Sequence, residues 1–117
     1  MNGVPQDIDL SFFVDLTLMQ VCVGEYELIL NFSEHVSVLV QGNFEIVPIF
    51  TVSGVSKRLS DILAVLSLLG MKTVGVKRDG SHTLILEFSG GRCLLLHDNS
   101  PSYESFVITT PHTTIVV

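Results

Sequence analysis

A near-repeat within the chain constrains its fold more than any other feature of the sequence. The stretch LILNFSEHVSVLVQ (28–41) aligns without a gap with LILEFSGGRCLLLH (84–97), and six of the fourteen positions are identical. The offset of 56 extends back to residue 17, and an offset of 59 places Phe44-Glu45 on Tyr103-Glu104. Strands share patterns by chance, but a common offset across three strands and two turns favours an internal duplication. The duplicated segments are about 17–50 and 73–110.

Each duplicated segment predicts an antiparallel meander. Alternation of apolar and polar residues is typical of half-buried strands, and it runs through 28–32 and 84–88. Asp79-Gly80, between two such strands, is a hairpin pair that tolerates positive φ. The end of the chain, PHTTIVV, is apolar to its last residue, which is rare in a frayed tail. We therefore expect a final strand paired across a dimer interface, with Ile115 and Val117 as interface residues.

A single amphipathic helix is predicted between the two segments, at about 56–69. Its apolar residues recur at helical spacing and form one stripe, which consists of Leu59, Ile62, Leu63, Leu66 and Leu69. Ser56 or Ser53 can serve as the N-cap, and Gly70 follows the last turn as a C′ residue. Leu68 falls on the opposite face, about 180° from Leu59, and is therefore a candidate subunit contact.

The predicted fold is a single α+β domain over residues 1–117. Two antiparallel β-meander pseudo-repeats form a curved sheet or a partly open barrel, and the helix between them covers one opening. A chain of 117 residues is long enough to bury a core without the help of disulfides.

Charge and hydropathy favour a self-associating protein over a nucleic-acid binder. Hydrophobic residues make up 47% of the chain and charged residues only 15%, against about 25% charged in typical domains. An exposed apolar patch and a homodimer or other homo-oligomer are therefore expected. The net charge is -6 and the six basic residues do not cluster, which disfavours nucleic acid and anionic membranes.

The location expected from the sequence is the cytoplasm. No stretch approaches the roughly 20 apolar residues of a membrane-spanning helix. The first ten residues, MNGVPQDIDL, have neither the basic nor the apolar region of a signal peptide.

The sequence lacks the motifs of enzymatic, metal and cofactor chemistry. Cys22 and Cys93 form no CxxC pair, and no HExxH, phosphate loop or GxSxG elbow is present. Cys93 and His97 share a strand face, but at ~3.3 Å per residue they lie roughly 13 Å apart, too far for a nucleophilic dyad. We therefore predict no catalytic residue, no metal and no cofactor, and a protein that is not an enzyme.

Five residues remain as candidates for ligand contacts. They are Phe106, Tyr103, Glu45, Glu104 and His97. The aromatic pair lines an apolar pocket or simply fills the core, and the same alternatives apply to Phe32, Phe44 and Phe88. The two glutamates correspond in the repeat, so they form a paired acid site across a pseudo-axis or else face solvent.

A sequence pattern near the C-terminus carries a resemblance to a known family. Tyr103-Glu104-Ser105-Phe106-x-Ile108, preceded by LTLMQVCVGEYELILNF (16–32), resembles a family of small bacterial β-rich proteins. That family has a Leu-x-Phe strand and a Tyr-Glu-Ser/Ala-Trp-x-Ile segment, and Phe106 replaces the usual Trp. The resemblance covers roughly residues 14–117 and implies a bacterial, accessory and often mobile gene. It implies no activity and no catalytic residue.

These features together predict a non-enzymatic bacterial interaction protein that acts as a homodimer or on a protein partner. An immunity-type role, in which an acidic surface masks a basic partner, fits this prediction by analogy with other small β-rich proteins. The alternative is a small-ligand binding or sequestering protein with an apolar pocket between sheet and helix.

Overall fold

The chain has an α+β fold. The computed structural model describes residues 4, 6–49, 51–98 and 105–117. Within them lie, in chain order, a short 3-10 helix Ser11–Phe13, strands β1 Leu18–Val23, β2 Leu28–Phe32, β3 Ser37–Val40 and β4 Phe44–Val47, helix α1 Lys57–Leu66, and strands β5 Thr73–Asp79, β6 Thr83–Phe88, β7 Cys93–His97, β8 Phe106–Thr109 and β9 Thr114–Val116. The α+β class predicted from the sequence is confirmed, with one α-helix in the described residues.

The strands form two antiparallel sheets. One has five strands in the order β1-β2-β3-β8-β9, and the other has four in the order β4-β7-β6-β5. Both sheets are open within the described part of the chain. The structure therefore has two sheets in place of the single curved sheet or partly open barrel that the sequence predicts. An antiparallel bridge between Thr17 and Lys72 joins them where β1 and β5 begin.

The strand that follows each meander pairs with the other meander. Strands β1, β2 and β3 form the first meander and β5, β6 and β7 the second, but β4 pairs with β7 and β8 pairs with β3. Each sheet therefore contains strands from both halves of the chain, and neither half has a complete sheet without the other.

The first hairpin of each meander has a bulge at the same place. In β1–β2 the register shifts between Leu18 and Gln20, and in β5–β6 it shifts between Thr73 and Gly75. The two bulges are 55 residues apart, whereas the residues that face them on β2 and β6 are 56 apart. The β5–β6 hairpin is thus one residue longer than the β1–β2 hairpin when both are counted between matching paired positions, and the gapless alignment misplaces β5 by one residue.

Strands β4 and β8 also occupy matching places. Strand β4 faces β7 in the register with which β8 faces β3, so Phe44 corresponds to Phe106 and Glu45 to Val107. The predicted correspondence of Glu45 to Glu104 is wrong, because the loops before these strands differ in length by more than the sequence suggests. Glu104 itself lies outside the described residues. The predicted paired acid site depended on the equivalence of Glu45 and Glu104 in the repeat, and the strand registers do not support that equivalence.

The core lies between the inward faces of the two sheets. Alternate residues of each meander are buried there, among them Leu28, Leu30, Phe32, Leu84, Leu86 and Phe88. The Phe32 and Phe88 rings stack with their centroids 6.4 Å apart. Burial of each such side chain contributes roughly 1.5–3 kcal/mol, so this shared core is the main force that holds the two sheets together.

Helix α1 buries a different face from the one predicted. Its N-cap is Ser56, as expected, and the Ser56 hydroxyl accepts a hydrogen bond from the Leu59 N–H at 3.1 Å. The buried helix residues are Ser60, Ala64 and Val65, however, and Leu59 is 44% exposed. Small side chains on this face let the helix approach the sheets closely, and the Val52 N–H donates to the buried Ser60 hydroxyl at 3.1 Å.

The prediction that Leu68 is an exposed subunit contact is wrong. Its side chain is 0% exposed and belongs to the core. The helix ends at Leu66, so helical periodicity does not extend to residue 68. The chain turns inward there, and the Met71 N–H donates to the Leu68 carbonyl oxygen at 3.0 Å.

The predicted final strand exists, but it pairs within its own chain. Strand β9 lies antiparallel to β8 at the edge of the five-stranded sheet. Ile115 and Val117 are buried in the core. Their predicted role as interface residues is therefore wrong, because these side chains already pack against the inward face of their own sheet.

Candidate functional site

The outer face of the five-stranded sheet carries two complete rows of uncharged side chains. Cross-strand neighbours form an apolar row of Cys22, Ile29, Leu39, Val107 and Val116. The next row contains amides and hydroxyls only, from Gln20, Asn31, Ser37, Thr109 and Thr114. We call these ten residues the uncharged face.

The uncharged face is directed away from the core. Leu28, Leu30 and their counterparts on the other strands point inward, so the alternate positions point outward. Leu39 and Val107 are half-buried, as central positions of an open sheet face are, and Val116 at the edge is exposed. Asn31 Nδ2 donates to Gln20 Oε1 at 2.9 Å, which orders part of the polar row.

The corresponding row on the four-stranded sheet is different in charge. It consists of Lys77, Ile85, Leu95 and Glu45 in cross-strand register. Leu95 takes the place of Leu39, but charged side chains stand at both ends of the row. Lys77 Nζ also lies 3.3 Å from Glu87 Oε2 on the same face. The two outer faces thus share a geometry, and the absence of charge is specific to the five-stranded sheet.

A groove of about 1030 Å3 runs along the outer edge of β4. Its walls are β4, the segment that leads from it to the helix, and the first turns of α1. Phe44 is half-buried there, and Ile49 is 83% exposed beside it. The groove therefore combines an open strand edge with apolar side chains.

His97 and Glu45, two of the predicted candidates, are in direct contact. His97 Nε2 lies 2.8 Å from Glu45 Oε1, and His97 Nδ1 lies 3.0 Å from the Thr83 hydroxyl. The imidazole thereby connects side chains of β4, β7 and β6 on the outer face. Its effect is to position the Glu45 carboxylate at the edge of β4, next to the groove.

A second polar cluster was not anticipated from the sequence. The buried Asp98 carboxylate accepts a hydrogen bond from the Ser105 hydroxyl at 3.0 Å and lies 3.6 Å from His82 Nδ1. An acidic residue directly after the apolar strand β7 is the signal that would have found it. The cluster connects the end of β7 to the start of β8.

The remaining aromatic candidates do not form the predicted pocket. Phe106 is 1% exposed, and Phe32 and Phe88 are equally part of the core. Among the predicted aromatic residues that the structure describes, Phe44 is the one that lines the groove. Tyr103 lies outside the described residues.

The cysteines are free and lie apart. Cys22 is on the outer face of the five-stranded sheet and Cys93 on that of the four-stranded sheet, and both are half-buried. In the part of the chain that the structure describes, no three histidine, cysteine or acidic side chains converge as metal ligands.

One carboxylate away from these surfaces has a shifted pKa. The Ser11 N–H donates to Asp9 Oδ1 at 2.9 Å and holds the pKa of Asp9 below its ordinary value, with help from the Ser11 hydroxyl. This carboxylate stays ionised to lower pH than an isolated one and orders the start of the 3-10 helix.

Comparison with known proteins gives no relative. A scan against protein-family models, a search of curated proteins and a search of solved structures each find no match to this chain. The resemblance to a family of small bacterial β-rich proteins stays a prediction. Among the described residues, no helix is both long enough and apolar enough to cross a membrane.

Proposed function

We propose that this protein is a non-enzymatic interaction protein that assembles as a homodimer through its uncharged face. The observation that carries the proposal is the pair of complete uncharged rows across all five strands of one sheet. A contiguous apolar strip bordered by polar groups is typical of protein–protein contact surfaces.

The charge of the chain favours this face over the others. Two copies that each carry a net charge of -6 repel each other, and like charges placed together at an interface cost several kcal/mol. A two-fold contact brings the same patch of both copies together. A patch without charge meets itself without repulsion, and its hydroxyls and amides can pair with their own counterparts.

The dimensions of the face indicate a reversible dimer. Five strands about 4.8 Å apart, each with two outward residues that take about 6.6 Å apiece along the strand, give a footprint of roughly 300 Å2. This is smaller than the roughly 800 Å2 per partner of a standard interface. We therefore expect a dissociation constant on the order of micromolar.

The proposal includes the internal duplication of segments 17–50 and 73–110. It is supported by the matching bulges at Leu18 and Thr73 and by the matching registers of β4 and β8. In a duplicated chain the outer faces of the two sheets start alike. The five-stranded sheet keeps these rows free of charge, whereas the corresponding row of the four-stranded sheet carries Glu45 and Lys77, so the uncharged face is under a separate constraint.

A protein partner and an immunity-type role in a bacterial cytoplasm also belong to the proposal. They are supported by the acidic charge of -6, which complements a basic partner. The small-ligand alternative has one supporting observation, the groove beside β4. Because that groove follows an open strand edge and does not enclose a cavity, it suits an extended chain better than a compact molecule.

Leu39→Glu should convert the dimer to a monomer. Leu39 lies on the central strand and in the apolar row, so each copy would bring a carboxylate into the middle of the contact. We expect the dimer dissociation constant to rise at least about 100-fold, since juxtaposed like charges cost several kcal/mol. Light scattering over a concentration series measures the change.

Leu95→Glu is the matched control for that variant. Leu95 has the same place on the four-stranded sheet and the same half-buried exposure. Leu95→Glu also stands opposite Glu45, so it should lose up to about 1 kcal/mol more stability in thermal unfolding than Leu39→Glu, but it should retain the dimer. Equal masses for the two variants, whether both dimeric or both monomeric, would rule out the uncharged face as the contact.

A further inference from the structure

We infer that the open edge of β4 binds an extended segment of a partner protein by strand addition, and that this segment has the pattern apolar–basic–apolar. The site lies on the four-stranded sheet and uses none of the uncharged face. It therefore stands or falls separately from the proposed dimer.

Strand β8 has a neighbouring strand on both sides, whereas, in the described part of the chain, β4 has one on a single side. Strand β8 pairs with β3 on one side and with β9 on the other. Strand β4 corresponds to β8 and pairs with β7, but no described strand covers its other edge. The chain after β4 leads to helix α1, and the groove lies beside β4 in the position that β9 has beside β8 in the five-stranded sheet.

The backbone of β4 presents hydrogen-bonding groups to the groove. His97 N–H donates to the Asn43 carbonyl oxygen at 3.0 Å, so the alternate residues Phe44 and Ile46 direct their N–H and C=O groups away from β7. The corresponding carbonyl of Phe106 accepts a hydrogen bond from the Val117 N–H at 3.0 Å. A segment in the groove would make the bonds to Phe44 and Ile46 that β9 makes to β8.

The β8–β9 pair specifies the side chains of the bound segment. Ile115 and Val117 face Ile108 and Phe106 and point into the core. The residues opposite Ile46 and Phe44 should therefore be apolar. The groove has room for them, because its volume of about 1030 Å3 is at the upper end of the roughly 300–1,000 Å3 that ligand sites enclose.

The residue between these two apolar positions should be basic. It faces outward and stands opposite Glu45, where Val116 stands opposite Val107 in the other sheet. The Glu45 side chain is 59% exposed and is oriented by His97, so it is accessible to a cation. The cations nearest the groove are already engaged: Lys57 pairs with Asp61 at 2.8 Å, and Arg58 donates to the Gly24 carbonyl oxygen at 3.0 Å.

A second copy of the chain fits this edge poorly. Two copies could also pair edge to edge through their β4 strands. Directly opposite residues of an antiparallel pair lie on the same face of the sheet, so only a few registers keep the apolar residues of both β4 strands on the inward face. A pair centred on Glu45 places two carboxylates opposite each other, and a pair centred on Ile46 brings Pro48, which lacks an N–H, into the ladder. A pair centred on Phe44 reaches Gly42, which precedes the strand. A separate partner with a basic residue meets none of these obstacles.

The test uses the peptide acetyl-Thr-Thr-Ile-Lys-Val-Thr-amide and a matched peptide with Glu in place of Lys. We expect the Lys peptide to shift the amide resonances of Phe44 and Ile46 and to slow the exchange of both amide protons. It should bind about five- to tenfold more tightly than the Glu peptide, as expected when an attractive cross-strand charge pair replaces a repulsive one.

The variant Glu45→Lys should reverse the order of the two peptides. Because Glu45 is exposed, this variant should keep the dispersed amide spectrum of the parent protein. Resonance changes that avoid β4, the absence of binding, or equal affinities for both peptides would each overturn the inference. Light scattering on the same samples reports the dimer independently.

Discussion

Leu68→Glu should abolish folding at room temperature. The Leu68 side chain is 0% exposed and packs in the core shared by the two sheets. The variant both removes a buried leucine, at roughly 2–5 kcal/mol, and places a carboxylate without a partner in an apolar interior, which costs several kcal/mol more. The sum is comparable to the whole stability of about 5–15 kcal/mol of a typical domain.

The adjacent Leu69→Glu is the control for Leu68→Glu. Leu69 is 42% exposed, so we expect a stability change of no more than about 1 kcal/mol. Circular dichroism and thermal unfolding distinguish the two variants. A folded Leu68→Glu protein with a changed mass would contradict the buried position and restore the original expectation of a subunit contact.

Phe106→Ala should cost roughly 3–5 kcal/mol of unfolding free energy. The ring is 1% exposed and lies among the inward side chains of β8, so its removal leaves a cavity that the rigid sheet cannot close. Urea unfolding followed by circular dichroism measures the loss, with an unchanged slope as the sign that the transition remains two-state.

Phe44→Ala is the matched comparison for Phe106→Ala. Phe44 has the corresponding place on β4 but is only half-buried at the groove, so we expect a loss of roughly 1–2 kcal/mol. Equal losses for the two variants would mean that the groove is closed in solution and would count against an open β4 edge.

The sequence predicts the strands of this protein far better than their partners. Alternation is a local signal, so β2, β3, β6 and β7 and the final strand could all be located from it. The exchange of β4 and β8 between the sheets is a long-range pairing, and alternation carries no information about which strand lies beside which. A register deduced from a gapless alignment also fails, because one additional residue in a hairpin shifts every residue of the preceding strand relative to its partner.

The Leu68 error has a more specific cause. Leu68 lies 55 residues after Phe13, and both residues are fully buried. Matching hydrogen bonds follow them, from the Leu16 N–H to Phe13 O at 3.2 Å and from the Met71 N–H to Leu68 O at 3.0 Å. Leu68 thus belongs to the turn that precedes each meander, and helical spacing was the wrong periodicity to apply to it.

The candidate surfaces could be predicted only in part. Glu45 and His97 were identified individually, but their contact depends on the pairing of β4 with β7. The uncharged face combines strands from both halves of the chain, so its two rows appear only when the strand order is known. The apolar composition indicated that such a face exists, although it could not indicate where.

The most direct test of the proposed dimer is a native mass spectrum of the unmodified protein, recorded over about 1–100 µM. We predict a reversible species at twice the chain mass of 12.8 kDa, with no additional bound mass, that increases with concentration. A species of one chain mass throughout this range would contradict the proposal that the uncharged face joins two copies.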